Sequence, residues 1–147
     1  MHKTFILADD DPDDRDLFTL ALQNVAPTVH CICFKNGSEA IQYLKTSPTV
    51  ELIFLDLNMP GMDGWECIKL LKQDPLLKNI PVIIYTTSSS EKDIQRAREE
   101  GAKCFFIKPD DFTTLNDTLL LITQKLEGNS FNNIAKTREQ RHLECFY

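Results

Sequence analysis

The chain has 147 residues, 42% of them hydrophobic and 26% charged, with a formal net charge of -6. That is the length of one domain with a core of its own and an ordinary globular composition. The negative balance argues against nucleic-acid binding by charge attraction, no apolar run approaches the roughly 18 residues of a membrane span, and Met1-His2-Lys3-Thr4 leads straight into a strand without room for a signal peptide.

Phe5 to Ala8 reads as a short apolar strand that ends in Asp9-Asp10-Asp11-Pro12-Asp13-Asp14. Leu17, Leu20, Ala21 and Val25 follow at helical spacing, with Pro12 suited to a first turn and the acids to the helix dipole. Val29 to Phe34 is a second strand, Asn36-Gly37-Ser38 a turn, and Ala40, Ile41 and Leu44 mark a second helix. Leu52 to Leu55 is a third strand, apolar on both faces as in a parallel sheet, and it stops at Asp56. Pro60, Gly61 and Gly64 turn the chain away from the sheet. Trp65, Ile68 and Leu71 form the stripe of a third helix, with Lys69 and Lys72 on the solvent side; Asp74-Pro75 ends it.

Ile80 to Tyr85 is a fourth strand that runs into Thr86 and three serines, and Ile94 and Ala97 belong to a largely polar fourth helix before Gly101. Cys104 to Ile107 is a fifth strand ending in Lys108-Pro109, and Leu115, Leu119, Ile122 and Leu126 line a last helix. Five strand–helix alternations predict an α/β fold: a doubly wound five-stranded parallel sheet with helices on both faces. The pattern predicts one domain over residues 1–128 and a tail over 129–147, partly helical. Phe131, Ile134, Leu143, Phe146 and Tyr147 make that tail apolar enough to pack on this domain, a second copy or a partner, and the expectation favours one of the last two, as a homodimer or a complex. The five cysteines, at 31, 33, 67, 104 and 145, contain no C-x-x-C and read as small buried hydrophobes in a reducing cytoplasm.

In a parallel sheet the carboxyl ends of the strands share one edge, where ligands of such sheets bind. Asp9, Asp10, Asp56, Thr86 and Lys108 all fall at such ends. Taken singly, each has a plain structural reading as a cap, an acidic helix start or a surface lysine. Together they form a group of hard oxygen donors suited to Mg²⁺, beside one ammonium and one hydroxyl. Such a set can bind a phosphoryl group and stabilise its transfer, with Asp56 as a carboxylate nucleophile. No histidine falls in the cluster, and neither GxxxxGK[ST] nor GxGxxG occurs.

The stretches Ala8-Asp9-Asp10-Asp11-Pro12, Leu55 to Gly64, Tyr85-Thr86-Thr87 and Phe106-Ile107-Lys108-Pro109 resemble the response-regulator receiver domain of two-component signalling, of the stand-alone type, over residues 3–127. The resemblance implies a flavodoxin-like fold with strand order 2-1-3-4-5. It implies Asp56 as phosphoacceptor, Asp10 bound to Mg²⁺ directly and Asp9 through water, and the Asn58 carbonyl as a further ligand. Thr86 and Lys108 would hold the phosphoryl oxygens, the Lys108-Pro109 bond would be cis, and Thr86 with Phe105 would form the switch, Phe105 repacking inward. A sensor histidine kinase or a phosphotransfer protein would be the donor, in the cytoplasm, and the face of helix 4, strand 5 and helix 5 would change its affinity for a downstream protein. No output domain is expected after residue 128, and no enzymatic activity beyond the domain's own phosphorylation and dephosphorylation. Phe105 stands where the family often has Tyr, and Asp110 where it often has an apolar residue.

Two other functions compete. A Mg²⁺-dependent phosphohydrolase of the haloacid-dehalogenase kind would need an acid two residues after the nucleophile, where this chain has Asn58. A phosphorylation-independent docking module would carry a decayed site, whereas here every site residue is present. Asn58 and Ser88, each two positions after a site residue, are expected to rim the path of attacking water.

Overall fold

A computed structural model describes residues 3–128 and 142–146. The apolar runs fold as strands β1 (Lys3–Ala8), β2 (Val29–Phe34), β3 (Leu52–Leu55), β4 (Val82–Thr86) and β5 (Cys104–Ile107). Between and after them lie helices α1 (Pro12–Val25), α2 (Gly37–Leu44), α3 (Gly64–Gln73), α4 (Glu91–Glu99) and α5 (Phe112–Gly128). A short sixth strand, β6 (Leu143–Cys145), follows. The sheet order is β2-β1-β3-β4-β5-β6, with the first five strands parallel and β6 antiparallel to β5.

Helix starts follow the local chemistry. Asp11, Asn36, Asp63 and Ser90 each accept a hydrogen bond from a first-turn amide of the helix they precede, which satisfies donors the helix cannot pair itself. Alternation along the strands divides the core into two layers. Ile6, Ala8, Ile53, Leu55, Ile84 and Phe105 point towards α2, α3 and α4. Phe5, Leu7, Phe54, Ile83, Tyr85 and Phe106 point towards α1 and α5.

Five expectations need correction, the last two of them at the end of the chain. The buried face of α1 is Phe18, Ala21 and Leu22, while Leu17 and Leu20 are 47% and 54% exposed. Their spacing is helical, but Phe18 has the larger apolar area and takes the core, which rotates the stripe by about 100°. Lys72 is half-buried rather than solvated, because its ammonium donates to the Lys78 carbonyl at 3.1 Å, and burial pulls its pKa below the usual lysine value. No peptide bond among the described residues is cis, so Lys108-Pro109 is trans, the isomer favoured for X–Pro by about 0.5–1 kcal/mol.

The last two corrections concern the tail. Leu143 and Phe146 are buried in this domain's own core, one in each layer, and residues 143–145 are strand rather than helix. The helix expected in the tail, with Phe131 and Ile134, lies outside the described residues. Antiparallel register sets Cys104 opposite Cys145 with Cα atoms 4.1 Å apart, and the two form a disulfide instead of remaining separate thiols. Cys67 is buried as expected, while Cys31 and Cys33 are half-buried on the edge strand β2.

Candidate functional site

Backbone hydrogen bonds tie the strand ends together before any side chain acts. The Asp9 amide donates to the Phe34 carbonyl at 3.0 Å, that of Asp56 to Ala8 at 3.0 Å, and that of Lys108 to Thr86 at 2.7 Å. Asp9, Asp56, Thr86 and Lys108 are thereby held along one edge, although they come from four separate strands. Asp9, Asp10 and Asp56 each place a carboxylate oxygen within 4.8 Å of the others. Asp10 is exposed, whereas Asp9 is 0% and Asp56 6% exposed.

Lys108 lies among the carboxylates. Its Nζ is 2.8 Å from Asp9 Oδ2, 2.8 Å from Asp14 Oδ2 and 3.1 Å from Asp56 Oδ2. The contacts to Asp14 and Asp56 are aligned hydrogen bonds. The Asp9 contact is a charge pair without that alignment, and Asp9 Oδ2 is buried with no hydrogen-bond partner. The ion pair and the missing hydrogen bond are compatible: proximity governs the first, direction the second. Burial draws the lysine's pKa down, but the carboxylates of Asp14, Asp9 and Asp56 against its ammonium outweigh it and leave it above the usual value. Burial pushes the Asp9 carboxyl up to about 6, against the lowering pull of Lys108 and of the Asp11 amide. Its other flank is fixed by Arg15, whose Nη1 donates to the Asp9 carbonyl at 2.8 Å.

The donors suit a divalent cation. Three carboxylates are hard oxygen ligands, and the buried Asp9 Oδ2 faces the Lys108 ammonium without an aligned hydrogen bond, which leaves it acceptor capacity. A Cβ on Gly64 would collide with the Asp56 carbonyl oxygen and lie 2.9 Å from Leu57 Cα, so the start of α3 approaches this loop as only glycine permits.

Thr86 is fully buried, and its Oγ1 accepts from the Ser88 amide at 3.3 Å. The Ser88 hydroxyl donates to Asp93 at 2.7 Å, which ties the β4–α4 loop to the first turn of α4. Asn58 is exposed, its amide 3.4 Å from Asp56 Oδ1. Phe105 is on the other side of β5 from the disulfide, already buried at 1% exposure, so it has no inward move left to make from this conformation.

Sequence reading missed Asp14, Arg15 and Asp93 as parts of this site. Asp14 reads as one more acid in a helix start, and its partner Lys108 is 94 residues away. A cleft beside the cluster is lined by Asp14, Leu17, Tyr85, Lys108, Phe112 and Leu115.

Comparison with known proteins agrees with this geometry. The sequence model of the response regulator receiver domain matches residues 5–120. Response regulator Rcp1 of a Synechocystis species is 34% identical over 112 residues, 72% of this chain and 76% of that protein. The chain spans only about half the length of some other relatives, 50% for stress response regulator protein 1 of Meyerozyma guilliermondii. Among solved structures, the phosphorylated cyanobacterial phytochrome response regulator RcpA superposes with a TM-score of 0.80 at 30% identity, over 88% of this chain and 96% of that one. The Mn²⁺-bound form of Rcp1 gives 0.74 at 29% identity, over 92% and 99%. Strand-end carboxylates around one largely buried lysine, five parallel strands in the expected order with a sixth, antiparallel strand added at the edge, and a family match over most of the chain lead to one conclusion: the protein belongs to the response regulator receiver domain family.

Proposed function

We propose that this chain is a phosphorylation switch in which Asp56 accepts a phosphoryl group from a sensor histidine kinase or a phosphotransfer protein. The observation that carries this reading is the Asp56 carboxylate, at the end of β3, 3.1 Å from Lys108 Nζ and within 4.8 Å of the Asp9 and Asp10 oxygens. An Asp56 oxygen forms the new bond to phosphorus as the bond from phosphorus to the donor imidazole breaks. Lys108 offsets charge on the transferring oxygens, and Thr86 supplies a hydroxyl to them.

Asp9, Asp10 and Asp56, with the Asn58 carbonyl, would hold Mg²⁺ or a similar divalent ion, which neutralises negative charge and orients phosphate oxygens when bound. That a Mn²⁺-bound form of the similar Rcp1 exists supports a divalent ion as the partner of these carboxylates. Asp14 shares Lys108 with the acceptor, so a phosphoryl group arriving at Asp56 competes for the same ammonium.

The output is a population shift, with the phosphoryl group favouring one of two packings. Thr86 is the moving part: a turn of its hydroxyl towards phosphate removes the acceptor of the Ser88 amide and loosens the Ser88–Asp93 tie to α4. The face of α4, β5 and α5 then changes its affinity for a downstream protein. Phe105, buried in this conformation, would act as the second switch residue by leaving that position in the other packing. We assign residues 1–128 to the receiver proper and the remainder to an accessory role, and place the protein in the cytoplasm with its donor. Among the described residues no helix is long and apolar enough to cross a membrane.

Intact-mass measurement with acetyl phosphate and Mg²⁺ tests the reading. One hydroxylamine-labile phosphoryl adduct per chain is expected, and none on Asp56→Asn, which keeps the shape but not the nucleophilic oxygen. An adduct that persists on Asp56→Asn would place the acceptor elsewhere. Fast steady release of phosphate would point to a hydrolase, and no uptake to a docking module.

A further inference from the structure

We propose that Cys104 and Cys145 are a reversible thiol–disulfide site, and that its redox state sets whether β6 stays fixed along the outer edge of β5. The proposal needs no phosphorylation of Asp56. Around the pair, the Phe146 amide donates to the Lys103 carbonyl at 2.8 Å and the Ile107 amide to the His142 carbonyl at 2.7 Å. Cys104 and Cys145 lie between these bonds, directly opposite each other in a position without ladder hydrogen bonds of its own, where antiparallel side chains come closest.

Without the sulfur bond, β6 is weakly held. It is three residues long and is the edge strand of the sheet. Beyond its short ladder with β5, where Glu144 pairs with Phe105, its attachments include Leu143 in the layer with Phe106, Phe146 in the layer with Phe105, and the Arg98 guanidinium 5.5 Å from the Phe146 ring. Short edge segments with few hydrogen bonds open at low free energy, so a covalent tie here decides between a fixed and an opening strand. Departure of β6 frees the Ile107 amide and uncovers both the edge of β5 and the flanks of Phe105 and Phe106.

The sulfurs differ in access. Cys104 is buried at the inner position, whereas Cys145 is half-buried on the outermost strand. An external dithiol therefore attacks Cys145 Sγ. Its thiolate forms a mixed disulfide, the sulfur–sulfur bond to Cys104 breaks, and Cys104 leaves as a thiolate that takes up a proton. The second thiol of the reagent then displaces Cys145 and becomes part of the reagent's own disulfide; two electrons have passed to the protein. An oxidised dithiol reverses each step. Cys104 opens β5, four residues from Lys108, about 13 Å along an extended strand, so the acid cluster lies at the other end.

Amide exchange followed by NMR on the full chain, in reduced and in oxidised dithiothreitol, tests the site. In the oxidised buffer Ile107 and Phe146 should be protected. In the reduced buffer both should exchange about tenfold faster or more, as a local opening, while Phe54 and Ile84 in the centre of the sheet keep their rates. Thiol labelling should show Cys104 and Cys145 modified only after reduction. Cys145→Ser should exchange fast at Ile107 in both buffers, which separates this pair from Cys31 and Cys33, whose sulfurs lie 3.9 Å apart on the opposite sheet edge. Equal protection of Ile107 in the two buffers would overturn the proposal. So would labelling of both thiols in the oxidised buffer, a rise in exchange at Phe54 and Ile84 in step with Ile107, or a Cys145→Ser chain that still responds to the reagent.

Discussion

Lys108 faces Asp9, Asp14 and Asp56, three carboxylates against one ammonium, and the most buried of the three bears the cost. Asp9 is raised from 3.8 to about 6 because burial disfavours its charge more than Lys108 favours it. Between those two values the folded chain binds a proton that the unfolded chain has lost. Its contribution to stability therefore falls as pH rises through that window and is lowest above about 6, by up to about 3 kcal/mol at 1.36 kcal/mol per pKa unit. Asp9→Asn, which resembles the protonated acid, should then stabilise the metal-free protein at pH 7 by about 1–3 kcal/mol and by much less at pH 4. Urea denaturation in chelator at the two pH values checks this. Added Mg²⁺ should narrow the gap, because it stabilises the parent chain and binds the variant less well. An Asp9→Asn chain that is less stable than the parent at pH 7 would show that the Lys108 pairing outweighs the burial cost.

At the scale of elements, α3 is where fold and site are hardest to separate. Its N-cap Asp63 accepts from the Glu66 amide at 2.9 Å, and the Gly64 amide donates to the Leu57 carbonyl at 3.0 Å. Asp56 is thus followed by a loop closed at once on the next helix, and the missing side chain of Gly64 is what lets the two backbones meet. Gly64→Ala must push α3 from the β3 loop, since the obstructing atoms are backbone. A loss of about 1–3 kcal/mol in thermal or urea unfolding is expected, as for other overpacked sites. Because the displaced backbone carries Asp56, phosphoryl uptake from acetyl phosphate should slow as well. Gly37→Ala is the comparison: its nearest neighbour is the Met62 carbonyl oxygen at 3.2 Å, and its effect on uptake should be small. Strand ends were legible in the sequence because an apolar run that stops at an acid or a lysine marks both the element and its chemistry. The face of α1 was not, since Leu17 and Phe18 offer two apolar stripes and only packing against Phe54 and Tyr85 chooses between them.

At the scale of the whole molecule, two features that escaped sequence reading depend on distant segments meeting. Asp14 finds Lys108 across 94 residues and Cys145 finds Cys104 across 41. Neither separation leaves a local pattern, and a three-residue strand is too short to show alternation. The consequence reaches the domain boundary. Residues 1–128 hold every residue of the proposed phosphoryl site, yet Leu143 and Phe146 complete the two core layers. A chain ending at Gly128 should still form the Asp56 adduct, because the acid cluster is built from the ends of β1, β3, β4 and β5 and the first turn of α1, all before that point. It should also be less stable. Burying a leucine and a phenylalanine contributes about 1.5–3 kcal/mol each, an upper estimate because unfolded chains already bury some of that area. Loss of the Cys104–Cys145 bond removes a further constraint on the unfolded chain. The bare edge of β5 then presents unpaired backbone groups beside Phe105 and Phe106, a template for pairing with another chain. Calorimetry should show a lower melting temperature for the shortened chain. Light scattering should show association that grows with concentration and is absent from the oxidised full chain. A shortened chain that stays monomeric and melts with the parent would mean that β6 adds nothing to the domain, whereas one that loses adduct formation would mean that the last strand supports the site itself.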